Sequence, residues 1–377
     1  MAAVDVIILH PLAAENAGPL ERGLADARIR LAQRHRHGFL QAGADSARIV
    51  AGEPDGRPFG ERVADLLADH LVGRGMVLLG SGAMALATVG DRRAFVATAR
   101  TKGEAALANN RFSADAVALS GPAVAALRGL PRSLPSDNAL PRWLEEVAGV
   151  KVDDLRTRWR LGVDLDSPLD VLLVERSRTT DRGRTVAAGG PTVAGGSAGA
   201  GLTPVEQRLD RIRRVMADPS AELVVAGRTS AASLAWLERT TRCRVRALIE
   251  ERGLRAASGA ARRPTDGSDV RTARPPRSVL GLVLDRDGPR ALGHRLAELG
   301  DAALVDSRVL LAHRLGVDEA GWPAAESRFA SDLLDPASVD DPWLAALTSS
   351  AADAPIPIVL GGHTLVGPGA RLVAGGH

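Results

Sequence analysis

Trp159-Arg-Leu-Gly-Val-Asp-Leu-Asp-Ser-Pro-Leu-Asp-Val-Leu-Leu-Val174 sets three carboxylates, Asp164, Asp166 and Asp170, within seven residues. In an extended chain Asp164 and Asp166 share one face, because side chains alternate along a strand. Ser167-Pro168 then reads as the start of a helix, since proline fits a first turn whose amides have no helical partner. An acidic pair at a strand end suits a divalent cation, while Asp166 and Ser167 suit equally the capping of the helix that Pro168 opens. Either way the run is a strand-to-helix junction, the repeating unit of an α/β fold.

The same junction recurs on both sides. Val4 to Leu9 is an apolar run closed by His10-Pro11, the pattern of a strand buried on both faces, and Leu20 to Ala42 has helical spacing of its apolar residues. Arg48 to Gly52 and Gly75 to Gly80 read as strands, Phe59 to Val72 and Val89 to Arg100 as helices, Ala116 to Ser120 as a strand and Pro122 to Arg128 as a helix. Ser177 to Gly201 turns Arg-rich and then Gly/Ala/Ser/Thr-rich, a composition that cannot pack a core and behaves as a linker. Beyond it Thr203-Pro204-Val205-Glu206 has the form of a capping box. Strands are expected at Leu223 to Ala226, Cys243 to Ile249, Val279 to Leu284, Ala302 to Asp306 and Ile356 to Leu360, with helices between them; Ser258 to Ser278 is irregular and basic. The expectation is two Rossmann-like α/β domains with mostly parallel sheets, residues 1–176 and 203–377, joined by a Gly-rich flexible linker at 177–202.

Charge and composition narrow the function. With 45 acidic and 48 basic residues among 377, the chain is not built to neutralise a nucleic-acid backbone. Lys102 and Lys151 are the only lysines and tyrosine is absent, a bias of genome composition before function. A single cysteine, Cys243, excludes an intramolecular disulfide and any multi-cysteine metal site. The N-terminus has no basic region and only a short apolar run, and no stretch reaches the length of a membrane span, so a cytoplasmic location is expected.

Two places in the first 175 or so residues carry a resemblance. Val163-Asp164-Leu165-Asp166-Ser167-Pro168-Leu169-Asp170, and Met76-Val-Leu-Leu-Gly-Ser-Gly-Ala-Met-Ala-Leu-Ala-Thr88 followed by Asp91 to Arg100, together resemble the MobA-like nucleotidyltransferases. The resemblance implies a nucleotidyl group passed from a nucleoside triphosphate to a small phosphorylated or cofactor substrate. It also implies Mg²⁺ held by Asp164 and Asp166, with nucleotide contacts near Ser81 and Gly82. At the family's metal-binding aspartate this chain has Gly80-Ser81-Gly82-Ala83, and after the first strand it has His10-Pro11-Leu12-Ala13 where the family has a glycine-rich loop with a basic residue. Asp137 is then the candidate replacement ligand, or Ser136 and Asn138 simply cap a helix. Asn109 and Asn110 are positioned to bind a base edge or sugar hydroxyls, or else to satisfy a turn. Arg158 and Arg160 alternate so as to clamp a phosphate, or they pair with nearby acids such as Asp153 and Asp154.

The second half offers polar strand ends at Gly227 to Ser230, Asp285 to Gly288, Asp306 to Arg308 and Gly361 to Thr364, which a small anionic ligand would fit. Ser307, His363 and Asp285 contain the residue types of a hydrolase triad without a Gly-x-Ser-x-Gly elbow. Two functions stay open: a nucleotidyltransferase using Asp137, Asp164 and Asp166, and a non-catalytic ligand-binding or assembly scaffold. Either allows a homo-oligomer.

Overall fold

The computed structural model describes residues 2–53, 55–68, 70–184, 202–250 and 276–375. The chain is α/β throughout and divides into two compact units, one running up to Asp166 and the other beginning at Ser167.

The first unit is built on β1 (Val4–Pro11), β2 (Ser46–Gly52), β3 (Gly75–Gly80), β4 (Ala106–Ala108), β5 (Ala116–Leu119) and β6 (Val152–Asp154), in the order β2-β1-β3-β5-β4-β6. β1 runs parallel to β2 and β3, and β4 runs parallel to β6, whereas β5 is antiparallel to both β3 and β4. This sheet is mixed. Its main helices are α1 (Pro19–Gln41), α2 (Phe59–Ala68), α3 (Val89–Ala99), α4 (Gly121–Ala126) and α5 (Leu140–Glu146). The unbroken apolar runs of β1 and β3 follow from burial on both faces. Ile7 and Leu78 join one core with Val63 and Trp143, while Ile8 and Leu79 join another with Phe39 and Phe95. Each such side chain contributes about 2 kcal/mol by leaving water.

The second unit has an all-parallel sheet in the order β10-β9-β7-β8: β7 (Glu222–Gly227), β8 (Arg244–Ile249), β9 (Ala302–Asp306) and β10 (Ile358–Gly361). Helix α6 (Pro168–Arg184) opens it, so the expected domain end at Arg176 moves back to Asp166. The cause is packing within this unit: Leu169 lies against Gly361, and Arg176 bonds Asp210 on α7 (Pro204–Ala217). The expected linker is therefore helical from Ser177 to Arg184, and residues 185–201 lie outside the described residues. Thr203 and Glu206 form the capping box that their spacing predicts.

One expected strand of the second unit is a helix. Val279 to Leu284, read as a strand, is part of a helix, Val279–Asp287, capped by the Ser278 hydroxyl. Leu280, Gly281 and Leu284 are buried while Val279 and Leu282 are exposed, a helical period that a run of six apolar or glycine residues conceals. Most of the irregular 258–278 stretch lies outside the described residues. No described helix is long and apolar enough to cross a membrane.

Candidate functional site

Parallel strands that end side by side leave their next residues at one sheet edge, and here β1 and β3 deliver His10 and Ser81. Both are buried, and His10 Nδ1 and the Ser81 hydroxyl share a 3.1 Å hydrogen bond. The Ser81 amide donates to the Leu9 carbonyl at 2.8 Å, which holds the two strand ends together. Beyond Ser81 the chain turns sharply, with Met84 in the left-handed region at φ 49°, a conformation that favours glycine.

That turn is held by the acidic stretch running beside it. Leu165 N donates to Gly82 O at 2.9 Å and Ala85 N to Val163 O at 2.8 Å, while Met84 N donates to Asp164 Oδ1 at 2.8 Å. Asp164 is thereby buried. The Asp166 side chain stays 54% exposed, with Arg28 of α1 3.6 Å from its carboxylate and donating to Leu165 O at 2.7 Å. Asp166 is not the helix cap. Ser167 is, in a reciprocal box with Asp170: Ser167 N donates to Asp170 Oδ2 at 2.8 Å and Asp170 N to Ser167 Oγ at 3.3 Å.

Antiparallel β5 begins where β3 ends, and the residue before it is Asp115, whose carbonyl accepts from Gly80 N at 3.1 Å. Asp115 stands next to the strand end whose loop carries Ser81, Gly82 and Ala83. Its own carboxyl is pushed up to about 7, first by burial and then by the charges of Asp137 and Asp166. Burial likewise raises Asp164, and Asp115 and Asp166 add to the rise. Asp115 and Asp164 are hydrogen-bonded to each other, so the pair retains a proton where free carboxylates would have none. Asp115 thus feels the charges of Asp137 and Asp166 and is hydrogen-bonded to Asp164. Asp115 and Asp137 line a small, shallow pocket together with Leu9, Phe59, Gly80 and Leu140. Burial lowers the affinity of His10 for a proton, and the nearby Arg28 lowers it further.

Of the residues expected at the site, Asp137, Asp164 and Asp166 each interact electrostatically with Asp115, and Gly82 is bonded to the Leu165 amide between Asp164 and Asp166. Asn109 is close but saturated. Its side-chain amide donates to Asp115 Oδ2 at 3.2 Å and Leu161 O at 3.1 Å, and its carbonyl accepts from Asp115 N and Ala116 N. It orients Asp115 and has no donor left for a base. The Asn110 side chain accepts from Phe112 N at 3.1 Å, a local turn. Arg158 and Arg160 are not aimed at a phosphate, nor at Asp153 or Asp154. Both grip Asp91 at the start of α3, at 2.9 and 2.8 Å. Burial works against the Asp91 charge, but bonds from Arg160, Thr88 and Arg158 hold its carboxyl far below the usual range. Asp115 is the residue that sequence reasoning missed; its one signal is its place directly before an apolar strand.

At the strand ends of the second unit, charges are matched. Arg228 grips Asp306 at 2.7 and 3.1 Å, and Arg308 grips Asp332 through two 2.6 Å bonds. Asp285 bonds His313 Nε2 at 2.8 Å and Ser307 donates to Gly361 O at 3.2 Å, so these two residues serve other partners than a triad with His363. Among the described residues, no three His, Cys, Asp or Glu side chains form a complete metal-ligating group. No family profile matches the chain, and no curated protein sequence matches it either.

Proposed function

We propose that the first unit binds a nucleoside triphosphate with a divalent cation and transfers its nucleotidyl group to a small anionic acceptor. The observation that supports this reading is the gathering of Asp115, Asp137, Asp164 and Asp166 at the ends of β3 and β5. Like charges are expensive to crowd into a poorly solvated edge, and such crowding is typical of sites that meet a cation. Magnesium is commonly held by one or two carboxylates, with phosphate oxygens and water completing its shell, and the Asp115–Asp164 pair fits that donor set. Bound there, it would neutralise charge on the transferring phosphoryl group.

The protein's own part is positioning. Asp164 is fixed by the Met84 amide and Asp115 by Asn109, so neither needs to reorganise on binding. Arg28, anchored on the Leu165 carbonyl, offers positive charge beside the β1 end, and the buried imidazole of His10 sits there neutral. No side chain forms a covalent intermediate; in-line placement and charge compensation carry the reaction.

Calorimetry with each nucleoside triphosphate, with and without Mg²⁺, tests the proposal. At least one should bind in a Mg²⁺-dependent way, and Asp164→Asn should weaken it about thirtyfold, the equivalent of ~2 kcal/mol for a charged, hydrogen-bonded partner. No nucleotide binding by the unmodified chain sinks this function. The saturated Asn109 and the Asp91-bound arginines favour a second reading, a ligand-binding scaffold, which predicts nucleotide binding without turnover.

A further inference from the structure

Four of the five phenylalanines, Phe39, Phe59, Phe95 and Phe329, are buried, and Phe112 is 60% exposed. Exposure forgoes most of what an aromatic ring contributes to a core, so a fixed and exposed ring calls for another explanation. Phe112 is fixed. Its amide is held by the Asn110 side chain at 3.1 Å, and the next residue, Ser113, donates to Asn138 Oδ1 at 2.9 Å. That second bond ties its loop to the turn carrying Asp137, while the same loop runs into Asp115, and both aspartates line the pocket. Two guanidiniums lie over the ring, Arg111 at 5.3 Å and Arg156 at 5.2 Å from its centroid. Each is held in turn by an acid: Arg111 by Glu145 at 2.6 Å and Arg156 by Asp154 at 3.6 Å. The result is a preorganised aromatic and cationic surface on the loop that leads into Asp115, where little freedom is lost on binding.

We infer that Phe112, Arg111 and Arg156 form a stacking subsite for a planar heteroaromatic ring that carries an anionic group. A guanidinium plane and a phenyl ring both accept stacked bases, and the arginines keep donors for phosphate or carboxylate oxygens. This rests on the nucleotidyl-transfer reading for the ring's origin, which is either the base of the donor nucleotide or a ring in the acceptor.

Calorimetry on the full chain with two probe pairs decides it. The first pair is the nucleoside triphosphates against inorganic tripolyphosphate, both with Mg²⁺; the second is flavin mononucleotide against ribose 5-phosphate. In at least one pair the ring-bearing probe should bind about tenfold more tightly, the scale of one stacked base. Phe112→Ala should remove that preference and leave the ringless probe unchanged, while Phe112→Trp should keep it. Preference in the first pair assigns the ring to the donor, and preference in the second assigns it to the acceptor. No ring preference in either pair, or one that survives Phe112→Ala, overturns the subsite. If neither triphosphates nor tripolyphosphate bind, the nucleotidyl-transfer reading fails by itself, and the second pair still tests the subsite. Thermal melts of Phe112→Ala should match the unmodified chain, because the ring is outside both cores.

Discussion

The two units treat charge at their strand ends in opposite ways. In the second, Asp306 at the end of β9 is paired with Arg228, and the buried Asp332 with Arg308. In the first, Asp115 and Asp164 interact with each other, and the charges of Asp137 and Asp166 raise the carboxyl of Asp115 further. A matched buried pair needs no ligand, and losing one member leaves a stranded charge. A crowd of like charges costs stability as it stands, and what relieves it is a cation. The proposed function rests on this contrast, with structural work in the second unit's network and binding work in the first unit's cluster.

The severest way to break this contrast is to strand a charge in the second unit. Asp332→Ala leaves the buried Arg308 guanidinium beside Ser307 without the carboxylate it is hydrogen-bonded to, and should cost about 4 kcal/mol in urea denaturation. A loss under about 1 kcal/mol would mean that the pair is no more than a surface bridge.

The first unit should respond with the opposite sign to the removal of a charge, and its response should depend on pH. Asp115, at about 7 when folded, keeps a proton that the unfolded chain, at 3.8, gives up. Unfolding therefore releases protons, and stability falls as pH rises from about 4 through 7. Below that window the Asp115 carboxyl costs nothing; at pH 8 its cost should be about 4 kcal/mol. Asp115→Asn should flatten the profile between pH 5 and 8 in melts without divalent ions, and Mg²⁺ should stabilise the unmodified chain more at pH 8 than at pH 5. A flat profile in the unmodified chain would contradict the like-charge account.

The finest test separates neighbours. Ser167→Ala removes the α6 cap and should lower stability by about 1 kcal/mol with nucleotide binding intact. Asp166→Asn should do the reverse, weakening binding and sparing stability, since its half-exposed carboxylate lies beside Arg28 and Ser167 caps the helix. If both variants behave alike, Asp166 and Ser167 do not belong to different units.

Much of the architecture was legible because it is local. The runs at Val4 and Met76 announce buried strands, and Thr203-Pro-Val-Glu announces a helix start through atoms three residues apart. The three-residue strands β4 and β6 were not, because a strand that short has no period to read. The apolar run from Val279 fits strand and helix alike until its neighbours are placed. At the site, Asp164 and Asp166 stand out by spacing, whereas Asp115 owes its role to antiparallel pairing of β5 with β3, a relation between segments. Arg158 and Arg160 find Asp91 from 67 and 69 residues away, and no rule about near neighbours could have chosen it over Asp153.

Met84 turns one of these details into an instrument. The sequence has four methionines, and this one sits in a left-handed turn with its amide on the Asp164 carboxylate and its side chain wholly buried in the core shared by β1 and β3. A methyl group there reads the protonation and loading of the cluster from behind. Isotope labelling of methionine methyls gives at most four signals to assign, so the acidic edge comes with a spectroscopic reporter that requires no engineering.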